Sequence, residues 1–216
     1  MKEMRGTTLS SLFPPFVSTA VMRDLEVGGQ IYPTEEVLIR SVSEKRRKEF
    51  IAGRVCAREA MRHLGVAVGP IGRLPSGAPR WPELVTGSIS HTDGFAVAAV
   101  CRTGRATSIG IDVENVSSMS EEIWPLLFTS GELERILNNR DKNLMATIMF
   151  SAKESFYKGQ SIITGEWLDF LDVEISVSKE CFEIEVLRSD AGSAGMKAAG
   201  KVVRQEDFVI TGVLFT

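Results

Sequence analysis

Apolar residues recur along this chain with two different periods, and the switches between them mark out the expected elements. In "SIGIDVENV" the period is two. Ile109, Ile111 and Val113 fall on one side and Gly110, Asp112 and Glu114 on the other, as in a strand. Just before it, "GSISH", a "TDG" turn and "FAVAAV" predict a hairpin whose second strand is apolar enough to be buried on both faces. Helical spacing of Ile51, Val55 and Leu64 predicts a long helix over 43–64, with Gly65 as its stop. Thr34 is placed to cap a short helix, with Glu35 and Glu36 in its first turn where the dipole favours negative charge. "FTSGELERIL" opens another helix, with Thr129 and Glu132 at capping-box spacing, and the stretch from Leu144 to about Ser161 predicts one that ends near Gly165. "LDVEISVS", "CFEIEVL" and "DFVITGVLF" read as three antiparallel strands, separated by a Gly- and Ala-rich segment, "SDAGSAGMKAAGK", expected to be mobile.

Helices followed by strands thus occur twice, and "RTGRAT" is the best candidate joint, so the expected fold is α+β in two similar halves, 1–104 and 105–216. A length of 216 residues suits one domain or two intimately packed halves. With 44% hydrophobic and 25% charged residues the chain has the balance of a globular protein, and its net charge of -3 argues against a general nucleic-acid binder. Pro14 and Pro15 break the early apolar run before it could serve as a signal segment or span a bilayer, so a cytoplasmic location is expected. Cys56, Cys101 and Cys181 are odd in number and far apart, which fits buried reduced thiols better than a disulfide framework. With only His63 and His91 available, a zinc site of cysteines and histidines is not expected.

Charge is unevenly spread. Between Glu44 and Arg62 stand Lys45, Arg46, Arg47, Lys48, Arg54, Arg58 and Arg62 against Glu44, Glu49 and Glu59, seven bases to three acids and a local +4. Such a run usually makes a solvated face, although arginine is also the side chain best shaped for bidentate phosphate binding. No P-loop or G-x-G-x-x-G occurs, so any phosphate would be held by side chains. Asp112 and Glu114 share one strand face and could offer hard oxygens to Mg²⁺, or could simply be the polar face of a half-exposed strand. A third acid is available in "FSAKESFYKG", where Glu154 and Lys158 lie four residues apart on a helix with Lys153 about 100° around from Glu154. Taken alone that is a surface ion pair; the neighbouring Phe150, Phe156 and Tyr157 instead suggest charged heads at the rim of a cleft. A serine hydrolase fits poorly, because Ser90 and His91 face opposite ways on a strand and no G-x-S-x-G elbow is present.

The ordered set "EKRRKEFIAGRVCAREAMRHLG", "GAPRWP", "GSISH", "GIDVE" and "FSAKESFYKG" resembles the 4′-phosphopantetheinyl transferases of the surfactin and enterobactin synthetase type, most closely the enterobactin-like bacterial branch. That resemblance spans roughly 44–159 and implies a pseudo-dimer of two α+β halves with antiparallel sheets and the active site in the cleft between them. It implies transfer of the phosphopantetheine arm of coenzyme A to a serine of an apo carrier protein, releasing 3′,5′-ADP. By position, Asp112, Glu114 and Glu154 are the expected Mg²⁺ ligands, with Glu154 also the general base. Arg46, Arg54, His91, Lys153 and Lys158 are expected on coenzyme A phosphates, and Ser90 assists by hydrogen bonding. Some relatives carry a lysine in the loop before the W-P pair; Ser76 stands there here, with Arg73 and Arg80 nearby. Siderophore or nonribosomal peptide synthesis is the expected setting, and a monomer is expected because the two halves would already complete a cleft. A non-catalytic coenzyme A binder or a carrier-docking module is the alternative.

Overall fold

The structure is a computed structural model that describes residues 9–23, 25, 31–116 and 119–216. The first eight residues of the amino-terminal stretch judged above for a signal segment lie outside the described residues. Among the described residues no helix is long and apolar enough to cross a membrane.

In chain order the elements are β1 (Ser18–Arg23), α1 (Pro33–Glu36), α2 (Glu44–His63), β2 (Gly72–Arg73), β3 (Pro79–Arg80), β4 (Val85–Thr92) and β5 (Phe95–Arg102). There follow β6 (Ser108–Asn115), α3 (Trp124–Leu127), α4 (Ser130–Leu137), α5 (Lys142–Thr164), β7 (Val173–Ser178), β8 (Cys181–Val186), β9 (Lys197–Gln205) and β10 (Phe208–Phe215). One antiparallel sheet has the order β1-β5-β4, a second the order β6-β10-β9-β8-β7, and β2 pairs with β3 alone.

Strand periodicity decides how these layers stack. Along β5 the residues Ala96, Ala98 and Val100 pack against Ala52, Cys56, Ala57, Ala60 and Met61 of α2. The alternate residues Phe95, Val97, Ala99 and Cys101 meet Ile109, Ile111 and Val113 of β6 and Ile210 of β10. As the sequence pattern predicted, β5 is buried on both faces from Phe95 to Cys101. On the far side of the second sheet, Met149, Ala152 and Phe156 of α5 pack on Val173, Ile175, Phe182, Ile184, Val209 and Val213. The order through the molecule is therefore helix, sheet, sheet, helix, with β4 and β6 lying against each other as edge strands.

Several local expectations need correcting, among them the burial of all three cysteines: Cys56 and Cys101 are buried, but Cys181, at the start of β8, is exposed. Tyr32, rather than Thr34, is the N-cap of α1, because Pro33 takes the first helical position, where its fixed φ and missing N–H are tolerated. Glu35 is not a solvated first-turn charge: it is fully buried, accepts from Tyr32 N, and receives Arg58 on both oxygens at 2.8 and 2.9 Å. The segment expected to be mobile runs into β9 over its last five residues, and Gly200 there sits under the Phe182 ring where a Cβ would overlap it; the glycine reads as a loop signal but marks a close approach. The preceding turn is held too, since Glu166 accepts from Gly192 N at 2.6 Å and Ser193 N at 3.0 Å. β1 had no signal strong enough to be predicted. The long helices came out close to expectation, with Ser43 capping α2 and Gly165 ending α5 at φ 69°.

α5 and β6 approach each other closely. A Cβ on Gly110 would overlap the Ser155 carbonyl, and one on Gly159 would overlap the Phe215 ring and meet Gly110 N at 3.3 Å. Ser108 Oγ donates to Gly159 O at 2.8 Å across the same crossing. Gly110→Ala is therefore predicted to push α5 away from β6 and destabilise the fold by about 1–3 kcal/mol or more. Urea unfolding measures it; an unchanged midpoint would contradict the packing described.

Candidate functional site

The sheets meet at one polar junction. Register places Ser90 opposite Val97, on the side of β4 facing the second sheet, and His91 opposite Ala96, on the side facing α2. Ser90 and His91 thus point apart, as strand alternation requires. Ser90 Oγ donates to Asp112 Oδ1 at 2.8 Å. Lys158, rising from α5, donates to the same Oδ1 at 2.6 Å and to Ser90 Oγ at 2.8 Å. Lys158 does not pair with Glu154, its neighbour one turn away; it reaches across to β6. Asp112 Oδ2 is buried and has no hydrogen-bond partner.

Around this junction the carboxylates crowd. Burial, reinforced by Asp112 and Glu154 and opposed by Lys158, pushes Glu114 up to about 8. Burial likewise raises Glu154, with Lys158 opposing and Asp112 adding to the shift. Asp112 and Glu114 therefore do not form the outer face of a half-exposed strand: α5 covers β6 on that side, and Asp112 is 2% exposed. Three acids with hard oxygens, one of them carrying an orphaned buried oxygen, suit a divalent cation chemically. Among the described residues, however, no three acidic, histidine or cysteine side chains form a ready-made metal cluster. Lys158 holds Asp112 Oδ1, and that ion pair, rather than a closed carboxylate triad, occupies the junction.

On the α2 side lies a hollow of about 140 Å³ lined by Arg46, Arg54, Arg73 and His91, with Glu49 the one acid among its walls. Arg54 is buried, donates to Ile71 O at 2.9 Å and Gly72 O at 3.1 Å, and stands 4.3 Å over the Phe50 ring; burial lowers it to about 10, so it stays charged at neutral pH. Part of its fork is thus spent on fixing the loop after α2. Arg46 Nη1 lies 2.7 Å from His91 Nε2. Arginine can only donate, so Nε2 is the acceptor and the imidazole proton sits on Nδ1, which faces Glu49 Oε2 at 3.5 Å. Burial and the Arg46 charge hold His91 down to about 4. At neutral pH His91 anchors Arg46 and is not itself a cation.

Across Gly77, Pro79 and Ile89 the hollow adjoins a larger cleft of about 610 Å³, walled by Trp81, Tyr157, Lys158, Leu168 and Phe170 and reached by Glu154. Ser76, Arg80 and the mostly apolar strap 166–170 complete it. The structure thus brings Ser90, Asp112 and Lys158 together by direct bonds, sets Glu114 and Glu154 within electrostatic reach, and groups Arg46, Arg54 and His91 next door.

Lys153 is the exception. It is fully buried away from both cavities, and its ammonium donates to Glu132 Oε2 at 2.8 Å, Leu127 O at 3.0 Å and Phe170 O at 2.5 Å. The expectation of a phosphate contact is corrected, because all three donors are committed inside the protein. The sequence did not point to the second role of Glu132, hidden by its capping-box spacing, and Arg73, noted only as a neighbour of Ser76, is carried by the folded loop into the same hollow as Arg46.

The sequence model of the 4′-phosphopantetheinyl transferase N-terminal domain matches residues 34–101, and that of the 4′-phosphopantetheinyl transferase superfamily matches residues 108–210. The chain is 35% identical over 185 residues to 4′-phosphopantetheinyl transferase Npt of Nocardia iowensis, covering 86% of this chain and 81% of that protein. It is 33% identical over 176 residues to 4′-phosphopantetheinyl transferase PptT of Mycobacterium tuberculosis, covering 79% and 78%. Enterobactin synthase component D of Escherichia coli is 38% identical over 141 residues, covering 63% of this chain and 65% of that one.

The electrostatics give a sign. A carboxyl whose folded pKa lies near 8 is stabilised in its protonated form, so that contribution is complete below its unfolded value and is lost as pH rises toward 8. Without divalent cations, wild-type melting temperature is predicted to fall from pH 5 to pH 9 more steeply than that of Glu114→Gln, which matches it at pH 5. Parallel pH profiles would contradict the crowding of Glu114.

Proposed function

This chain belongs to the 4′-phosphopantetheinyl transferase family, and on that footing we propose that it moves the phosphopantetheine arm of coenzyme A to a serine of an apo carrier protein, releasing 3′,5′-ADP. The observation that carries the reading is the Ser90, Asp112 and Lys158 junction, with a basic hollow on one side and a largely apolar cleft on the other. Those neighbours match the two ends of coenzyme A. The phosphorylated nucleotide suits the arginine-lined hollow, where Arg46, steadied by His91, and Arg54 would meet the 3′-phosphate. The pantetheine arm, an amide chain with long apolar stretches, suits the cleft.

In this reading the diphosphate lies across the junction. Lys158 exchanges its bond to Asp112 for phosphate oxygens, and Ser90 donates a hydrogen bond beside it. Asp112, Glu114 and Glu154 would hold Mg²⁺, which supplies charge neutralisation on the diphosphate when bound. The carrier serine oxygen forms a new bond to the phosphorus nearer the pantetheine, the bond from that phosphorus to the bridging oxygen breaks, and 3′,5′-ADP leaves. Glu154 takes the serine proton. Burial, by raising its affinity for a proton, suits it to that role.

The halves 1–104 and 105–216 are taken as the two sides of a pseudo-dimeric cleft, each contributing one sheet and its covering helix. A siderophore or nonribosomal peptide synthetase is the proposed source of the carrier, supported by the similarity to enterobactin synthase component D. Action as a monomer in the cytoplasm completes the proposal.

Incubation with coenzyme A, Mg²⁺ and an apo carrier protein, followed by intact-mass measurement of the carrier, tests it. The expected result is a gain of one phosphopantetheinyl group, abolished by EDTA and slowed at least about 100-fold by Asp112→Ala or Glu154→Ala with circular dichroism unchanged. No gain on any of several carriers would leave a coenzyme A binder without this chemistry.

A further inference from the structure

One lysine of the "FSAKESFYKG" segment stays out of the cleft, yet it is bonded to the cleft's wall. Lys153 Nζ reaches Phe170 O at 2.5 Å, Leu127 O at 3.0 Å and Glu132 Oε2 at 2.8 Å, with both charged side chains fully buried. Glu132 in turn accepts from Thr129 N at 2.8 Å and Ile175 N at 2.7 Å. Five places in the chain therefore meet at one buried ion pair: α5, the end of α3, the start of α4, the strap after α5, and β7.

Burying such a pair is energetically poor value for stability alone. Desolvation pulls Lys153 down and pushes Glu132 up against their mutual attraction, and a well-packed apolar pair would fill the space at lower cost. What the ammonium adds is direction: three fixed donors aimed at a carboxylate and two carbonyls. One of those carbonyls belongs to the strap. Residues 166–170 all line the apolar cleft, although 165–169 lie in no helix or strand, so their position depends on side-chain tethers. Other tethers include Tyr157 Oη to Asp169 O at 3.0 Å, Arg188 Nη1 to Trp167 O at 3.3 Å, Glu166 N to Thr164 Oγ1 at 3.1 Å, Asp169 N to Asp172 Oδ2 at 2.8 Å, and the Glu166 carboxylate on Gly192 N and Ser193 N. Lys153 is the tether that comes from inside, behind the Phe170 ring that stacks on Phe150 with centroids 5.5 Å apart.

We infer that Lys153, paired with Glu132, is a positioning residue that presets strap 166–170 as the wall receiving the pantetheine arm, so that it governs affinity for the arm and not for the nucleotide. This rests on the assignment of the cleft to pantetheine made above. A wall already ordered in the free protein removes the ordering cost of binding; a slack strap must be ordered by the ligand. The nucleotide hollow is lined by residues from 38 to 91 and includes none of the strap. Loss of the tether therefore has a ligand-selective signature that general destabilisation lacks.

Calorimetric titration of the full chain with coenzyme A and with 3′,5′-ADP, both in Mg²⁺, reads that signature. Lys153→Met combined with Glu132→Gln removes the tether without leaving a lone buried charge. It is expected to weaken coenzyme A at least about tenfold while 3′,5′-ADP stays within about twofold. Lys153→Gln, one atom shorter with two donors instead of three and retaining a partner for Glu132, is expected to show the same selectivity at smaller size, and decides the matter if the double variant does not fold. Equal loss for both ligands, or loss for neither, overturns the inference. Wild type binding coenzyme A no more tightly than 3′,5′-ADP would overturn the cleft assignment and this inference with it.

Discussion

The structure turns on a single shared oxygen. Asp112 Oδ1 receives a hydroxyl from one sheet and an ammonium from the helix behind the other, while its second oxygen is left buried without a partner. A carboxylate so placed is stable only while cations face it. Everything that makes the junction possible lies in the packing beneath: β4 and β6 must meet as edge strands, and α5 must come near enough to β6 for Lys158 to reach across. The glycines at 110 and 159 permit that approach, and Ser108 fixes it.

Two kinds of buried charge emerge from this arrangement. Glu35 with Arg58 and Glu132 with Lys153 are paired internally with each other and with backbone groups, and their work is to pin loops. Asp112, Glu114, Glu154 and Lys158 are crowded but incompletely satisfied, and Glu154 and Lys158 line a cavity. The distinction between satisfied and unsatisfied charge, rather than charge density, separates scaffold from site. It also explains why the basic run on α2 is neither a plain solvated face nor a uniform anion surface: Arg58 and much of Arg54 serve the fold, whereas Arg46 lines the hollow.

Much of this was legible in the sequence, for reasons that differ by element. The apolar run of 95–101 reports directly that both its faces are covered, and the alternation of 108–115 reports which residues share a face, though not that α5 covers the polar one, because side-chain direction on a strand is fixed by the backbone while its covering is not. The order of "GIDVE" and "FSAKES" carried the family, and the family fixed which acids to compare. What was hidden depended on distance in space. Nothing in "KES" distinguishes a lysine aimed at the cleft from one aimed inward, since the partner Glu132 lies twenty-one residues away in an ordinary capping box. Gly200 looked like a loop residue because its reason is the Phe182 ring on a neighbouring strand. The protonation of His91 likewise depends on Arg46 arriving from another element.

If Asp112 is the point at which cation and coenzyme A are held together, the affinity for coenzyme A must depend on Mg²⁺ through that residue. Titration calorimetry with and without Mg²⁺, on wild type and on Asp112→Asn, measures this without any turnover. Removing Mg²⁺ is expected to weaken binding at least about tenfold in wild type and to change little in the variant. Equal affinity in wild type with and without the ion would contradict it.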